Sequence, residues 1–148
     1  MSVSTDSYSG NKAARSLDSA TLLFARVAIA PLYLYSGVGK VLAFSTTAGR
    51  LGGADGFGSV LAAGAIAVEL GCGAALLLGL FVRQAAVALI CFTIVATLMF
   101  HNFWAAPEAQ TVMQTINFLK NLGLIGGLAL VAYHGAGSYA AATVLRFK

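Results

Sequence analysis

The stretch Gly58–Leu80, GSVLAAGAIAVELGCGAALLLGL, is apolar apart from one carboxylate, Glu69, near its middle. Its length matches the ~20 residues a helix needs to cross a ~30 Å hydrocarbon layer. A carboxylate at that depth costs about 2.5–3.5 kcal/mol on insertion scales, so such groups face a bundle interior and pair there. The reading therefore starts from a spanning helix with a buried charge, and the rest of the chain must supply its partner.

Composition agrees with a membrane setting. The chain has 148 residues, 59% of them hydrophobic and 9% charged, and a mean hydropathy of +0.85. Soluble domains carry about 25% charged residues. Hydropathy outlines four spans, near Ala20–Phe44, Ser59–Leu80, Gln84–Phe103 and Ile116–Tyr133. Backbone groups in lipid must be satisfied within the segment, which favours helices. No strand-like alternation is present. The expectation is an all-α polytopic membrane protein: a four-helix bundle over residues 20–137, a polar cytoplasmic tail over 1–19 and a short cytoplasmic tail over 138–148.

The tail Met1–Ser19 is polar and unlike a cleaved signal peptide, since the apolar run after it exceeds a signal core. Ser16 or Asp18 is a candidate cap for the first helix. Lys12, Arg15, Arg83, Arg146 and Lys148 fall on one side of the spans, and Lys40, Arg50 and Lys120 on the other. That bias places both termini in the cytoplasm. The net charge of +4 is then explained by anionic lipid, without nucleic acid.

Cys72 and Cys91 lie within spans and form no CxxC, which gives neither a disulfide framework nor a thiol motif. His101 and His134 fall at opposite ends of their spans, about 25–30 Å apart, too far to ligate one haem. No metal-ligand spacing stands out.

The other ionisable residues cluster. Arg26, Tyr33, Gly37 and Lys40 share a stripe about 60° wide on the first helix. Ala62, Ala65, Glu69, Cys72 and Gly73 share one on the second, where small residues admit a close neighbour. Consecutive helices usually pack together, so Arg26–Glu69 is the candidate intramembrane pair, either as a register device or as a proton or ligand site. Near the outer surface Tyr33, Lys40, His101, Asn117, Lys120 and Asn121, with Gln114 a turn earlier, form a candidate polar pocket for a quinone or an anion. The plain alternative has Lys40 and Lys120 snorkelling to headgroups and His101, Phe103 and Trp104 forming an interfacial belt. Gly123, Gly126 and Gly127 give a small-residue packing pattern, within the bundle or between copies in a homo-oligomer. The polar, glycine-rich stretch Ser45–Gly58 reads as a connector, with a covering loop as the alternative.

The succession Arg26; Tyr35-Ser36-Gly37-Val38-Gly39-Lys40; Glu69; Gly79-Leu80-Phe81-Val82-Arg83; His101-Asn102-Phe103-Trp104; Asn117-Phe118-Leu119-Lys120-Asn121; His134-Gly135-Ala136-Gly137 resembles the DoxX family of small integral membrane proteins. The likeness covers about Leu22 to Gly137. It departs from the family after Gly137: many relatives continue into a polar segment ending in an acidic residue, whereas this chain reads Ser138-Tyr139-Ala140-Ala141. The family's recurring polar positions fall on Arg26, Lys40, Glu69, Arg83, His101 and Lys120.

The resemblance implies an inner-membrane subunit of a respiratory or redox complex, anchoring a peripheral or soluble oxidoreductase and contributing to a quinone/quinol site. The chain has no evident flavin, haem or iron–sulfur ligands of its own. Electrons would come from the partner, and the chain would not be an enzyme alone. A quinone site needs an apolar slot and polar groups near its oxygens, which Tyr33, His101, Lys120 or Glu69 could supply. The alternatives are a small proton- or anion-coupled transporter or channel, and a purely structural membrane anchor.

Overall fold

The computed structural model describes residues 4–53 and 56–141, with side chains from Asp18 onward. Its elements are α1 (Ser4–Leu42), α2 (Phe44–Arg50), α3 (Phe57–Leu78), α4 (Val82–Phe100), a 3₁₀ turn at Phe103–Ala105 and α5 (Glu108–His134). Four of these helices, α1, α3, α4 and α5, are long and apolar enough to cross a membrane, and no strand occurs among the described residues. The chain folds as a four-helix bundle in which α1 packs on α3, α3 on α4 and α4 on α5, with α2 laid against α3.

The bundle is dressed for lipid. Phe24, Leu42, Val60, Phe81, Leu130 and Tyr133 are all exposed, a surface that only an apolar solvent accommodates. The buried core is small: Ala30, Tyr33, Leu76, Val82, Ala86, Leu89, Leu128 and Val131. Small side chains here let backbones approach, as is usual between membrane helices. A Cβ on Gly37 would lie 2.7 Å from Leu70 Cδ2 and 3.2 Å from Glu69 Cβ, so that glycine sets the α1–α3 spacing at the level of Glu69. One step along, Gly73 faces Tyr33 and Leu34, which fixes an antiparallel register.

The α3–α4 turn is tight. Gly79 has φ +76°, the left-handed conformation that glycine adopts without penalty. Its N–H bonds Leu76 O at 3.3 Å and the Leu80 N–H bonds Ala75 O at 2.8 Å, the paired closure of a Schellman turn.

Several expectations from the sequence change. The segment read as a polar tail over 1–19 is helical from Ser4, so neither Ser16 nor Asp18 begins α1. Extending an existing helix adds a hydrogen bond per residue with no new nucleation step. The connector at Ser45–Gly58 contains α2, whose Ala48 is buried. Glu108 starts α5 two turns before the apolar run begins, because polar side chains there bond back into the helix: Thr111 Oγ1 to Pro107 O at 3.1 Å and Thr115 Oγ1 to Thr111 O at 2.8 Å. Hydropathy does not register such satisfied hydroxyls. The segment after Gly137 is not a free tail at its start, since Ala140 is buried and the Ser138 N–H bonds Ser19 Oγ at 3.2 Å. Gly123 and Gly126 face open space and only Gly127 approaches another helix, at Ile29.

Candidate functional site

Glu69 is buried, its side chain 3% exposed. Its partner is Lys40: Nζ lies 2.8 Å from Oε1. Ser36 completes the cluster, donating to Glu69 Oε1 at 2.9 Å and accepting from Lys40 Nζ at 2.6 Å. Ser36 and Lys40 are four residues apart on α1, hence on one face, and the Gly37 contact brings that face onto Glu69. The second carboxylate oxygen, Oε2, is buried with no hydrogen-bond partner.

Arg26 does not pair with Glu69. The register of α1 against α3 places Glu69 beside Gly37, eleven residues and about 16 Å along the helix from Arg26. Arg26 lies instead under the end of α3, fully buried. It donates Nη1 to Leu76 O at 3.2 Å and Nη2 to Tyr139 O. A guanidinium suits a helix C-terminus, where carbonyls and the macrodipole present negative charge. A Cβ on Gly79 would come within 2.5 Å of Arg26 Nη1 and 2.7 Å of Ala140 Cβ. Ser19 Oγ also donates to Ser138 Oγ at 3.0 Å. Arg26 is thus a clamp joining α1, the end of α3 and the segment after α5.

A second string of polar groups crosses from α1 to α5. Tyr33 Oη and Thr93 Oγ1 are 2.6 Å apart. Thr93 Oγ1 donates to Leu89 O at 2.7 Å and Thr97 Oγ1 to Thr93 O at 2.6 Å, the back-bonding usual for hydroxyls inside helices. Asn121 Nδ2 donates to Thr97 Oγ1 at 2.9 Å. His101 Nδ1 meets Gln114 Oε1 at 2.9 Å.

Several of these groups border one cavity of about 1030 Å³. Tyr33, Ser36, Lys40, Glu69, Thr93, His101 and Asn121 supply its polar side, and Leu32, Val68, Phe92, Val95, Met99, Phe100 and Leu124 are among its apolar walls. It lies between the halves of α3 and α4 remote from their turn, with α2 contributing Thr46, Thr47 and Arg50 at its edge. Several wall residues, including Leu32, Val60 and Val95, are themselves exposed, so the cavity opens toward the lipid-facing surface. Of the expected outer pocket, Tyr33, Lys40, His101 and Asn121 converge here. Asn117 and Lys120 do not line it, and Lys120 is exposed. Just after α4, Phe103 and Trp104 pack edge to face with each other and with Phe118 of α5, with centroids 5.2–6.0 Å apart.

Ser36, Thr93 and Thr97 carry roles that hydropathy had hidden. The available signal was their spacing, four residues from Lys40 and from each other. His101 and His134 end antiparallel neighbours, α4 and α5, and so lie at opposite ends of the bundle. Cys72 borders the core and Cys91 is exposed. No group of three His, Cys, Asp or Glu side chains capable of holding a metal occurs among the described residues.

Fold and site together define a compact multi-pass membrane protein with a part-buried ion pair, its carboxylate buried, set in the wall of a lipid-facing cavity. The DoxX family model matches residues 21–102, more than half of the chain, and the protein belongs to that family. It is 29% identical over 136 residues to Inner membrane protein YqjF of Escherichia coli (strain K12), a match spanning 90% of this chain and 98% of that one. It is also 29% identical over 118 residues to Inner membrane protein YphA of the same organism, covering 79% and 84%. No solved structure matches it.

Proposed function

We propose that this protein is an inner-membrane subunit of a redox complex, with both termini in the cytoplasm, whose cavity receives a quinone or quinol while a partner oxidoreductase handles the electrons. The observation that carries this reading is the cavity's division: an apolar volume open to lipid and a polar wall containing a buried, incompletely bonded carboxylate. Ligand sites are typically about 300–1,000 Å³, apolar, with a few placed polar groups. This cavity is of that size, and entry from the lipid phase suits a membrane-soluble molecule.

The orphaned Glu69 Oε2 fits such a ligand better than it fits a purely structural pair. A charge pair built only to set helix register gains most when every lone pair is satisfied. Lys40, Ser36, Tyr33 and His101 would hold the ring oxygens, and the apolar walls would hold the ring and the start of its tail. The ligand would supply a two-electron, two-proton couple. This chain's own residues bind and orient it, exclude water and offer Glu69 as a proton acceptor.

Native membranes incubated with a photoreactive quinone analogue test the reading. Labelled peptides from the Val60–Glu69 or Phe92–His101 segments, with labelling suppressed by excess natural quinone, support it. Labelling that is absent, or indifferent to competitor, overturns it. Proton or anion flux through the purified protein in liposomes, with no competed labelling, would favour a transporter instead.

A further inference from the structure

The hydrogen bonds of the cavity wall bear on the oxidation state of such a ligand as well as on its class. Each hydroxyl carries one proton. The Thr93 proton is committed to Leu89 O at 2.7 Å, so the 2.6 Å contact with Tyr33 Oη must use the tyrosine proton. Tyr33 therefore offers the cavity only lone pairs. Ser36 spends its proton on Glu69 Oε1, and Thr97 spends its own on Thr93 O. Gln114 Oε1 accepts from His101 Nδ1, so in the tautomer with its single ring proton there Nε2 is an acceptor. Glu69 Oε2 has no donor at all. Its carboxylate torsion is broad and two-fold, so a small turn presents Oε2 to an arriving donor. Besides these acceptors and the Asn121 amide oxygen, the inner wall keeps as donors the third proton of Lys40, which already bonds Ser36 and Glu69, and the second N–H of Asn121, while Thr46 and Arg50 stand exposed at the rim; of all these groups, only Glu69 Oε2 is a buried atom with no partner.

From the orphaned Glu69 Oε2 beside the Lys40 ammonium we infer that the cavity selects a ligand bearing hydroxyl donors, a quinol or related phenol, over the corresponding carbonyl compound. The inference rests on the quinone/quinol reading above. A carbonyl oxygen only accepts; placed here it satisfies Lys40 and leaves Glu69 Oε2 unsatisfied and repulsive. A hydroxyl donates to the carboxylate and accepts from the ammonium together, so it closes the cluster. An acceptor left unmatched in a buried site is penalised more than a matched bond is rewarded.

The test is equilibrium binding to the purified protein in lipid nanodiscs, read by Trp104 fluorescence and by calorimetry. Three probes of one ring and one short tail are used: the quinol held reduced under anaerobic conditions, the quinone, and the quinol dimethyl ether, which keeps both oxygens and adds a methyl to each, so that it accepts but cannot donate. The quinol is expected to bind at least about tenfold tighter than either of the others, as one hydrogen bond to a charged acceptor provides. In Glu69→Gln, whose amide donates as well as accepts, the quinol preference should fall below about threefold. Quinone binding as tightly as quinol overturns the inference and leaves the cavity reading standing. Binding of none of the three overturns both. If Glu69→Gln does not fold, the dimethyl ether decides on the native protein: affinity equal to the quinol's refutes the donor requirement.

Discussion

Breaking the Lys40–Glu69 pair from either side should destabilise the bundle unequally, and the inequality measures how it is held. At 2.8 Å and an effective dielectric near 20 the gross attraction is about 6 kcal/mol. Desolvation of the two ions offsets much of it, by several kcal/mol each. Lys40 is 27% exposed and Glu69 3% exposed, so the carboxylate bears most of the penalty when left alone. Lys40→Met strands the carboxylate with Ser36 as its one remaining donor. The 3–5 kcal/mol typical of breaking a buried pair then shrinks to about 2–3 kcal/mol for a partner that is partly exposed. Glu69→Gln leaves a flexible ammonium that can reach the headgroups and should cost about 1 kcal/mol. The double variant Lys40→Met/Glu69→Gln should be more stable than the sum of its parts predicts, with a coupling of about 1–3 kcal/mol. Reversible unfolding in mixed micelles, followed by circular dichroism for all four proteins, gives that coupling. Additivity within about 0.5 kcal/mol would refute the pair as an energetic unit.

Three further outcomes follow from contacts elsewhere. Gly79→Ala combines a left-handed backbone (φ +76°) with a clash against Arg26 and Ala140 and should cost at least about 2 kcal/mol; Gly71→Ala, with nothing within 4 Å of its Cβ, should be neutral or stabilising by up to about 1 kcal/mol, and equal melting points for the two would sink the turn argument. Arg26→Met strips the donor from Tyr139 O, so amide exchange at residues 138–141 should accelerate at least tenfold while α4 is unchanged; unaltered exchange there would show that the clamp is not held by the guanidinium. Tyr33→Phe removes the bond to Thr93 and should cost about 1 kcal/mol, whereas Tyr33→Phe in a Thr93→Val background should cost close to nothing in thermal unfolding.

The four spans could be read from hydropathy because lipid solvates the outside of this protein and the apolar runs are continuous. Glu69 was equally legible as a buried charge. Its partner was not, because helical spacing orders residues along one helix and says nothing about the offset between two. That offset comes from the Gly37 and Gly73 contacts, which slide Lys40, not Arg26, to the level of the carboxylate. Lys40 near a helix end reads equally well as a snorkelling surface residue, and only the packed structure separates the two. Two of the six residues of the outer pocket, Asn117 and Lys120, lie outside the cavity for a related reason. Lys120 and Asn121 are neighbours in sequence, yet a step of about 100° around α5 puts Asn121 in the cavity wall and Lys120 outside. Thr93 and Thr97 escaped notice because each hydroxyl bonds its own helix and so costs little in an apolar span.

The Arg26 clamp also sets an order of events in synthesis. The carbonyl of Leu76 lies 50 residues downstream of the guanidinium and that of Tyr139 lies 113 downstream. At ribosomal rates of about 5–20 residues per second, the second acceptor emerges about 6–23 s after the arginine it serves. Through that interval the first helix carries a membrane-embedded cation that has at most one of its two carbonyl acceptors. Phosphate or water near the interface can serve the second Nη in the meantime. A chain interrupted before Tyr139 keeps Arg26 with Leu76 O alone and Nη2 without its acceptor.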